Sequence, residues 1–85
     1  MYHVYILKSL KDKSLYVGYT NDVKRRLKEH NEGLSEYTKK LSPWKLVYYE
    51  SFISLDDVKS REKNLKYFGK AYGQLKRRIQ NSLNI

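Results

Sequence analysis

The sequence predicts an α/β protein of the α+β type, in which a small three-stranded antiparallel sheet is flanked by three helices in the order ββαβαα. The segments "YHVYILKS" and "SLYVGYT" are rich in tyrosine and branched aliphatic residues, and the polar "LKDK" between them indicates a hairpin. The segment "WKLVYYESF", after Pro43, predicts the third strand. Both faces of the hairpin strands carry apolar residues, so we expect the sheet to be covered on both sides, at least in part.

The first helix is predicted from its ends. Thr20 and Asn21 are both good N-caps, and the helix runs from there to about Glu32. Gly33 is well placed to end it, because glycine is favoured just after a helix C-terminus. The following segment, "LSEYTKKLSP", is predicted to be a polar loop.

The second helix opens at Ser54 in "SLDD", which has the spacing of a capping box, and extends to about Phe68. Gly69 interrupts the pattern. The segment "GQLKRRIQNSL" then carries three aliphatic residues at helical spacing, which predicts a final short helix.

The length and charge of the chain limit the classes of function. Its 85 residues are enough for a single domain, which we expect to span 1–85. Lysine and arginine number 18 against 9 acidic residues, and the net charge of +9 predicts a polyanionic partner, nucleic acid rather than a membrane. The apolar runs are too short to cross a bilayer. Because there is no cysteine and no basic leader followed by a hydrophobic segment, we expect a cytoplasmic protein.

Two polar residues of the first helix point towards its apolar side. On a helical projection Val23, Leu27 and His30 fall within about 40° of one another, and Arg26 lies about 60° from Val23. Arg26 is therefore not simply one member of a solvated basic run. A purely structural interpretation remains open for both residues: Arg26 stacks on a tyrosine or pairs with a carboxylate, and His30 is a half-buried structural histidine.

Glu62 shows the same feature more sharply, because it projects between Val58 and Leu65 in the apolar stripe of the second helix. A carboxylate in that position needs an arginine, a set of hydrogen-bond donors or a metal ion. An ion pair between Arg26 and Glu62 is the structural alternative. The metal interpretation favours one Mg²⁺ or Mn²⁺ ion completed by waters and phosphate oxygens, since no second carboxylate is paired with Glu62 and soft zinc ligands are scarce.

The hairpin places two phenols near each other. Tyr5 and Tyr16 are predicted to stand directly opposite one another on one face of the sheet, where a cross-strand aromatic pair is also a common packing device. Gly18 has two interpretations: it is a bulge or sheet irregularity, or it lets the backbone approach a phosphate closely.

These residues, taken in order, resemble the GIY-YIG nuclease domain. "HVY" (His3–Tyr5) stands at the first motif and "YVG" (Tyr16–Gly18) matches the second. The family's helical arginine falls on Arg26, its next-turn tyrosine or histidine on His30, and its metal-binding glutamate on Glu62. The resemblance covers essentially the whole chain. It is strongest to small stand-alone members similar to the N-terminal nuclease module of excinuclease C.

The resemblance implies the GIY-YIG fold and a Mg²⁺-dependent endonuclease that cuts one strand of DNA per active site, in a setting such as DNA repair. It implies that Glu62 holds the ion and that Arg26 stabilises the charge on the phosphate. The base that activates water is Tyr16, which is favoured, or the nearby Tyr5. His30 is a further candidate, either as the acceptor itself or as a relay.

The expected partner is DNA, including branched or damaged DNA, with RNA as an alternative; the oligomeric state is left open. Tyr37 and Trp44 are candidates to stack on bases, although Trp44 is predicted to be core. Two rival functions are a non-catalytic nucleic-acid-binding module that retains the fold and a protein-interaction adaptor. The residues predicted to contact the nucleic-acid backbone are Gly18, Lys24, Arg25, Lys28, Lys39, Lys40, Lys63 and Lys66.

Overall fold

The computed structural model describes residues 1–85 and is built on one antiparallel sheet with the strand order β2-β1-β3. The main elements confirm the predicted fold class and the order ββαβαα, and one further short helical turn follows them. The strands are β1 (Tyr2–Ser9), β2 (Leu15–Thr20) and β3 (Trp44–Phe52), and the helices are α1 (Val23–Asn31), α2 (Leu55–Tyr67), α3 (Gly69–Arg78) and α4 (Gln80–Leu83). No helix is both long enough and apolar enough to cross a membrane.

The central strand β1 is buried on both faces, as the sequence predicts. Val4 and Ile6 pack with residues of α2 and α3 in one hydrophobic cluster, while Tyr5 and Leu7 belong to a second cluster on the other face. All four side chains are at most 2% exposed. Burying an aliphatic side chain of this size stabilises the fold by roughly 2 kcal/mol, so β1 anchors both layers.

The second cluster is closed by α1 and by the loop that follows it. Trp44 is 4% exposed, and its indole nitrogen donates a hydrogen bond of 2.8 Å to the carbonyl oxygen of Thr38. The Asn31 side chain accepts from the backbone N–H of Trp44 at 2.6 Å and donates to its carbonyl oxygen at 3.1 Å. Trp44 is therefore core, and its alternative role as a base-stacking residue is wrong.

Helix α1 begins later than the sequence suggests. Its N-cap is Asp22, whose side chain accepts from the backbone N–H of Arg25 at 3.0 Å, and not Thr20 or Asn21. Thr20 is the last residue of β2, and its hydroxyl accepts from the N–H of Asp22, which shapes the turn into the helix. Gly33 ends the helix region as predicted, with a φ of +79° that few other residues adopt readily.

The C-terminal helices follow the prediction in part. Ser54 caps α2 by accepting from the N–H of Asp57 at 3.4 Å, and α2 ends at Tyr67, beside the predicted end. The next helix starts at Gly69 instead of four residues later, because the extended backbone of Phe68 separates it from α2. A second break at Ile79 divides the predicted final helix into α3 and α4.

The register of the hairpin differs from the predicted one. Tyr5 pairs with Gly18, and Tyr16 pairs with Leu7, so the two phenols are diagonal neighbours on one face and do not stand directly opposite one another. The partner of Tyr5 is thus residue 18 instead of residue 16, a displacement of two residues that keeps both phenols on the same face of the sheet. This shift sets Tyr5 against the one residue of β2 that has no side chain.

Candidate active site

The position of Tyr5 depends on the absence of a side chain at Gly18. A Cβ atom at Gly18 would lie 2.5 Å from the Tyr5 hydroxyl oxygen and 2.7 Å from its Cζ, distances that real Cβ contacts do not reach. The phenol ring of Tyr5, on the central strand β1, thus lies across the outer strand β2. Gly18 is itself buried, so this glycine makes room for the phenol, and the pairing of β1 with β2 is regular at that point.

A buried chain of hydrogen bonds starts at the Tyr5 hydroxyl. His30 Nε2 lies 2.9 Å from that hydroxyl, and His30 Nδ1 lies 2.7 Å from Oγ1 of Thr38. His30 and Thr38 are both fully buried, so His30 is deeper than the half-buried position expected of it. Both ring nitrogens are occupied, and His30 therefore reaches a reacting water only through Tyr5. Thr38 is not among the predicted site residues, because nothing in its polar loop distinguishes it.

Burial keeps both Tyr5 and His30 neutral at physiological pH. Desolvation and, to a smaller extent, the Tyr16 phenol raise the pKa of Tyr5 against the opposing Arg26 guanidinium, so that the pKa of Tyr5 is about 12. Desolvation, together with the positive charge of Arg26 and against the opposing charge of Glu29, lowers the pKa of His30 to about 4. Tyr5 is thus held as a phenol and His30 as a neutral imidazole.

Arg26 extends from α1 towards the Tyr5 hydroxyl and pairs with a carboxylate of its own helix. Its Nη1 donates to Oε1 of Glu29 at 2.9 Å, and each of the two side chains is 31% exposed. Burial disfavours the charged form, but Glu29 and Tyr5 outweigh it, so the pKa of Arg26 is raised. The expected alternative, an ion pair between Arg26 and Glu62, is wrong, and Glu29 is a site residue that the sequence analysis misses.

Glu62 lies on α2, which packs against the opposite face of the sheet from α1. We refer to the site residues Tyr5, Tyr16, Arg26, His30 and Glu62 as the cluster. Its side chain is 17% exposed, and one carboxylate oxygen lies 3.3 Å from Nζ of Lys66. The negative charge of Glu62 adds a small contribution to the elevation of the pKa of Tyr5, after burial and Tyr16. Lys66 Nζ also lies 5.6 Å from the ring centroid of Tyr16.

Tyr16 is the more accessible of the two phenols, because it is half-buried whereas Tyr5 is 2% exposed. Its ring centroid lies 6.3 Å from that of Tyr5 and 5.1 Å from that of His30. Tyr16 therefore joins the buried chain to the protein surface.

The donor set at this edge of the sheet fits one kind of metal site. No group of three or more histidine, cysteine or acidic side chains is gathered anywhere in the chain, so a cage made only of protein ligands is absent. Mg²⁺ needs no such cage, since it often takes one or two carboxylates and completes its octahedron with waters and phosphate oxygens. The partly exposed Glu62 carboxylate is suitable for that role.

The likeness to known proteins extends over the residues of this site. A family model described as the GIY-YIG catalytic domain matches residues 1–72, which include every residue of the cluster. The chain belongs to the GIY-YIG family. Its fold is thus of a nuclease type, and the prediction made from "HVY" and "YVG" is confirmed at the level of the family.

Individual GIY-YIG relatives are similar over most of the chain. A UPF0213 protein of Clostridium perfringens is 48% identical over 67 residues, which cover 78% of this chain and 71% of the relative. One from Haloquadratum walsbyi is 41% identical over 68 residues, 79% of this chain and 76% of the relative. The solution NMR structure of a UPF0213 protein from Bacillus halodurans, 38% identical, matches with a TM-score of 0.54 over 88% of this chain and 82% of that one.

The basic residues expected to contact nucleic acid occupy exposed positions of α1, of α2 and of the loop that follows α1. Several already have local partners: Lys28 lies 3.8 Å from Glu32, and Lys39 lies 3.0 Å from Glu36. Lys66 is the one that touches the cluster itself, through Glu62. The predicted residues with exposed positions are Lys24, Arg25, Lys28, Lys39, Lys40, Lys63 and Lys66.

Proposed function

We propose that this protein is a metal-dependent endonuclease that hydrolyses phosphodiester bonds in DNA, one strand per active site. The observation that carries the proposal is the proximity of the Arg26 guanidinium to the phenols of Tyr5 and Tyr16. The partly exposed Glu62 carboxylate is joined to Tyr16 through Lys66, whose Nζ lies 3.3 Å from Glu62 and 5.6 Å from the Tyr16 ring centroid. Structural packing alone does not require this combination. Hydrolysis of a phosphodiester does, because it needs charge stabilisation, an activated water and help for the departing oxygen.

Arg26 is the residue proposed to bind the non-bridging oxygens of the phosphate. Glu29 accepts a hydrogen bond from Nη1, and a guanidinium carries five N–H donors, so several remain for a phosphate. Glu29 thereby holds Arg26 in position. Its contact to the guanidinium restricts the side chain before substrate binds, which favours catalysis by orientation.

Tyr16, as its phenolate, is the proposed acceptor of the proton from water, and the proton transfer converts it to the phenol. It is half-buried and therefore accessible, whereas the buried Tyr5 has a pKa of about 12 and His30 has both nitrogens occupied. Tyr5 has a different role, in which its neutral hydroxyl donates a hydrogen bond to a phosphate oxygen and the His30–Thr38 pair fixes its orientation.

Glu62 is the residue proposed to hold one Mg²⁺ or Mn²⁺ ion together with waters and phosphate oxygens. A bound ion of this kind supplies Lewis-acid stabilisation of phosphate charge. In the free protein Lys66 neutralises Glu62, and this ammonium is then available to bind the DNA backbone.

Cleavage assays with matched variants test the proposal. Supercoiled plasmid, branched DNA and RNA are incubated with the protein in Mg²⁺ or in chelator. Glu62→Gln and Arg26→Ala should each reduce cleavage at least a hundredfold, because each removes charge stabilisation worth roughly 3 kcal/mol or more. Glu36→Gln and Arg25→Ala are the controls: Glu36 also pairs with a lysine, at 3.0 Å, and Arg25 is the exposed neighbour of Arg26.

Two results would contradict the nuclease proposal. One is that wild type and Glu62→Gln are equally inactive on all three substrates. The other is that Glu36→Gln and Arg25→Ala lower cleavage as much as the variants of the cluster, which would indicate a general effect of charge on binding.

The second candidate function is a nucleic-acid-binding module without catalysis. It is favoured by one observation: Glu62 is neutralised by Lys66 and Arg26 by Glu29, so neither charge requires a metal or a phosphate to be compensated. Salt-sensitive binding that persists in every variant, with no cleavage in any, would support this function.

A further inference from the structure

A pocket beside the candidate active site has no role in the chemistry proposed above. Its volume of about 470 Å³ falls within the usual range of small-molecule sites. It lies along β2 and is bounded by α2, by α3 and by the loop after α1. This tyrosine pocket is lined chiefly by Leu15, Tyr16, Tyr37, Leu65, Lys66 and Tyr72.

The aromatic walls of the tyrosine pocket leave a ring face open. Tyr37 is 78% exposed, although it is among the largest side chains of the loop. Its ring centroid lies 5.6 Å from that of Tyr16 with the planes tilted by 40°. An exposed aromatic ring at the mouth of an apolar pocket is suited to stack on a flat ligand ring.

The one charged side chain that lines the tyrosine pocket is a lysine, Lys66. Lys66 Nζ lies 5.6 Å from the ring centroid of Tyr16, and Lys76 Nζ lies 4.6 Å from that of Tyr72. No carboxylate is among the lining residues. Apolar walls with ammonium groups at the rim fit a flat uncharged ring that is joined to an anion. A nucleotide has this chemistry, whereas an apolar side chain of a partner protein gives the lysines nothing to bind.

The pocket and the candidate active site share a wall. Tyr16 lines the pocket and also packs against Tyr5 and His30, and Lys66 joins the pocket to Glu62 at 3.3 Å. We propose that the tyrosine pocket binds one unpaired nucleobase next to the phosphate held at Arg26 and Glu62. The substrate is then a strand in which a base beside the cleaved bond lies outside a duplex stack. This inference rests on the nuclease proposal and specifies its substrate.

Binding measured in chelator, where metal-dependent cleavage does not occur, tests the base subsite. The probes are a short fluorescent single-stranded DNA and the same backbone with every base replaced by an abasic spacer. Wild type should bind the strand with bases about tenfold more tightly, since base–aromatic stacking by one residue is of that order. Tyr37→Ala should remove the difference while leaving affinity for the abasic strand unchanged, and Tyr37→Phe should retain it.

The control variant is Tyr67→Ala, which removes another exposed tyrosine, 73% exposed, that does not line the pocket. It should leave the discrimination intact. In ¹H–¹⁵N NMR spectra, the strand with bases should shift resonances of Leu15, Tyr37 and Tyr72 more than the abasic strand does. Equal affinity of wild type for the two strands, or equal loss in Tyr37→Ala and Tyr67→Ala, would overturn the proposal.

The same measurements separate this inference from the nuclease proposal. A protein that discriminates bases through Tyr37 yet cleaves nothing would leave the base subsite standing and the nuclease proposal refuted. A protein that cleaves DNA but binds the two strands equally would support the nuclease proposal and refute the base subsite.

Discussion

The Tyr5 hydroxyl occupies the space that a side chain at Gly18 would fill, with only 2.5 Å between the hydroxyl oxygen and an added Cβ atom. Because Tyr5 is 2% exposed, its ring cannot move away into solvent without opening the core. The cost of Gly18→Ala is that of overpacking, roughly 1–3 kcal/mol in the free energy of unfolding, and it exceeds the small entropic gain from replacing a glycine. Urea denaturation of the two proteins measures this difference.

Gly69→Ala is the matched control, since nothing lies within 4 Å of a Cβ at that position. It should be neutral or slightly stabilising, because alanine is the better helix residue at the start of α3. If Gly18→Ala proved as stable as wild type, the close contact between Tyr5 and Gly18 would be refuted.

His30 makes the stability of the fold depend on pH in a defined window. Its pKa is lowered by burial, and then by Arg26, to about 4 in the folded protein, against about 6.5 when unfolded. Between these values the unfolded state binds more protons than the folded state. The contribution of His30 to the free energy of unfolding is therefore fully present above about pH 6.5 and is lost as the pH falls towards 4. The loss from this residue is on the order of 3 kcal/mol, measured by urea denaturation across the window.

Carboxylates also titrate near the lower end of that window, so the variant comparison isolates the imidazole. His30→Gln should be less stable near neutral pH but should show a flatter dependence between pH 6.5 and 4. His3→Gln, which changes the only other histidine, should keep the wild-type slope. The same slope in all three proteins would contradict a neutral buried His30.

The sequence predicts the elements of this fold where local signals are strong. Residues 44–52 are predicted as a strand because aromatic and β-branched residues are dense there, and Ser54 marks the start of α2 through its capping spacing. The predicted N-caps of α1, Thr20 and Asn21, precede the observed cap Asp22. All three residue types are good caps, and only the end of β2 at Thr20 decides among them. The residue types alone therefore do not distinguish the N-cap at that point.

The sequence indicates which residues form the cluster, but it does not indicate which ion pairs and hydrogen bonds they make. Glu62 and Arg26 stand out because their charges fall on apolar helix faces, but each has a same-helix partner in the structure, Lys66 and Glu29. Ion pairs at this spacing are common on helices, so the spacing alone does not identify these two pairs as part of a functional site. Thr38 depends on how a loop folds over His30, a tertiary contact that no periodicity reports.

Lys66 competes with a cation for Glu62, so its removal should tighten metal binding in the free protein. The two side chains lie 3.3 Å apart and are partly exposed, and an exposed pair of this kind is worth about 0.2–1 kcal/mol. Lys66→Met should therefore raise the affinity for Mn²⁺ up to about fivefold. Paramagnetic broadening of amide resonances around residue 62 measures this without any cleavage.

Lys63→Met is the control for this change, because Lys63 is exposed on the same helix and forms no ion pair with Glu62. It removes the same charge and should alter Mn²⁺ affinity less than Lys66→Met. Glu62→Gln should abolish the local broadening. Broadening that is strongest elsewhere in the chain, or that persists in Glu62→Gln, would show that the ion does not bind at this carboxylate.

The Thr38 hydroxyl is expected to select which nitrogen of His30 carries the proton. In Thr38→Val the Nδ1 atom loses its partner at 2.7 Å inside the core, which costs about 1–3 kcal/mol of stability. An unpaired buried N–H donor is more costly than an unpaired acceptor. In Thr38→Val the proton of the imidazole should therefore reside on Nε2, which faces the Tyr5 hydroxyl. ¹⁵N NMR of the imidazole reports the tautomer directly. Thr38→Ser keeps the hydroxyl and should retain the wild-type spectrum with a smaller loss of stability, whereas equal losses in the two variants would show that Thr38 contributes packing alone.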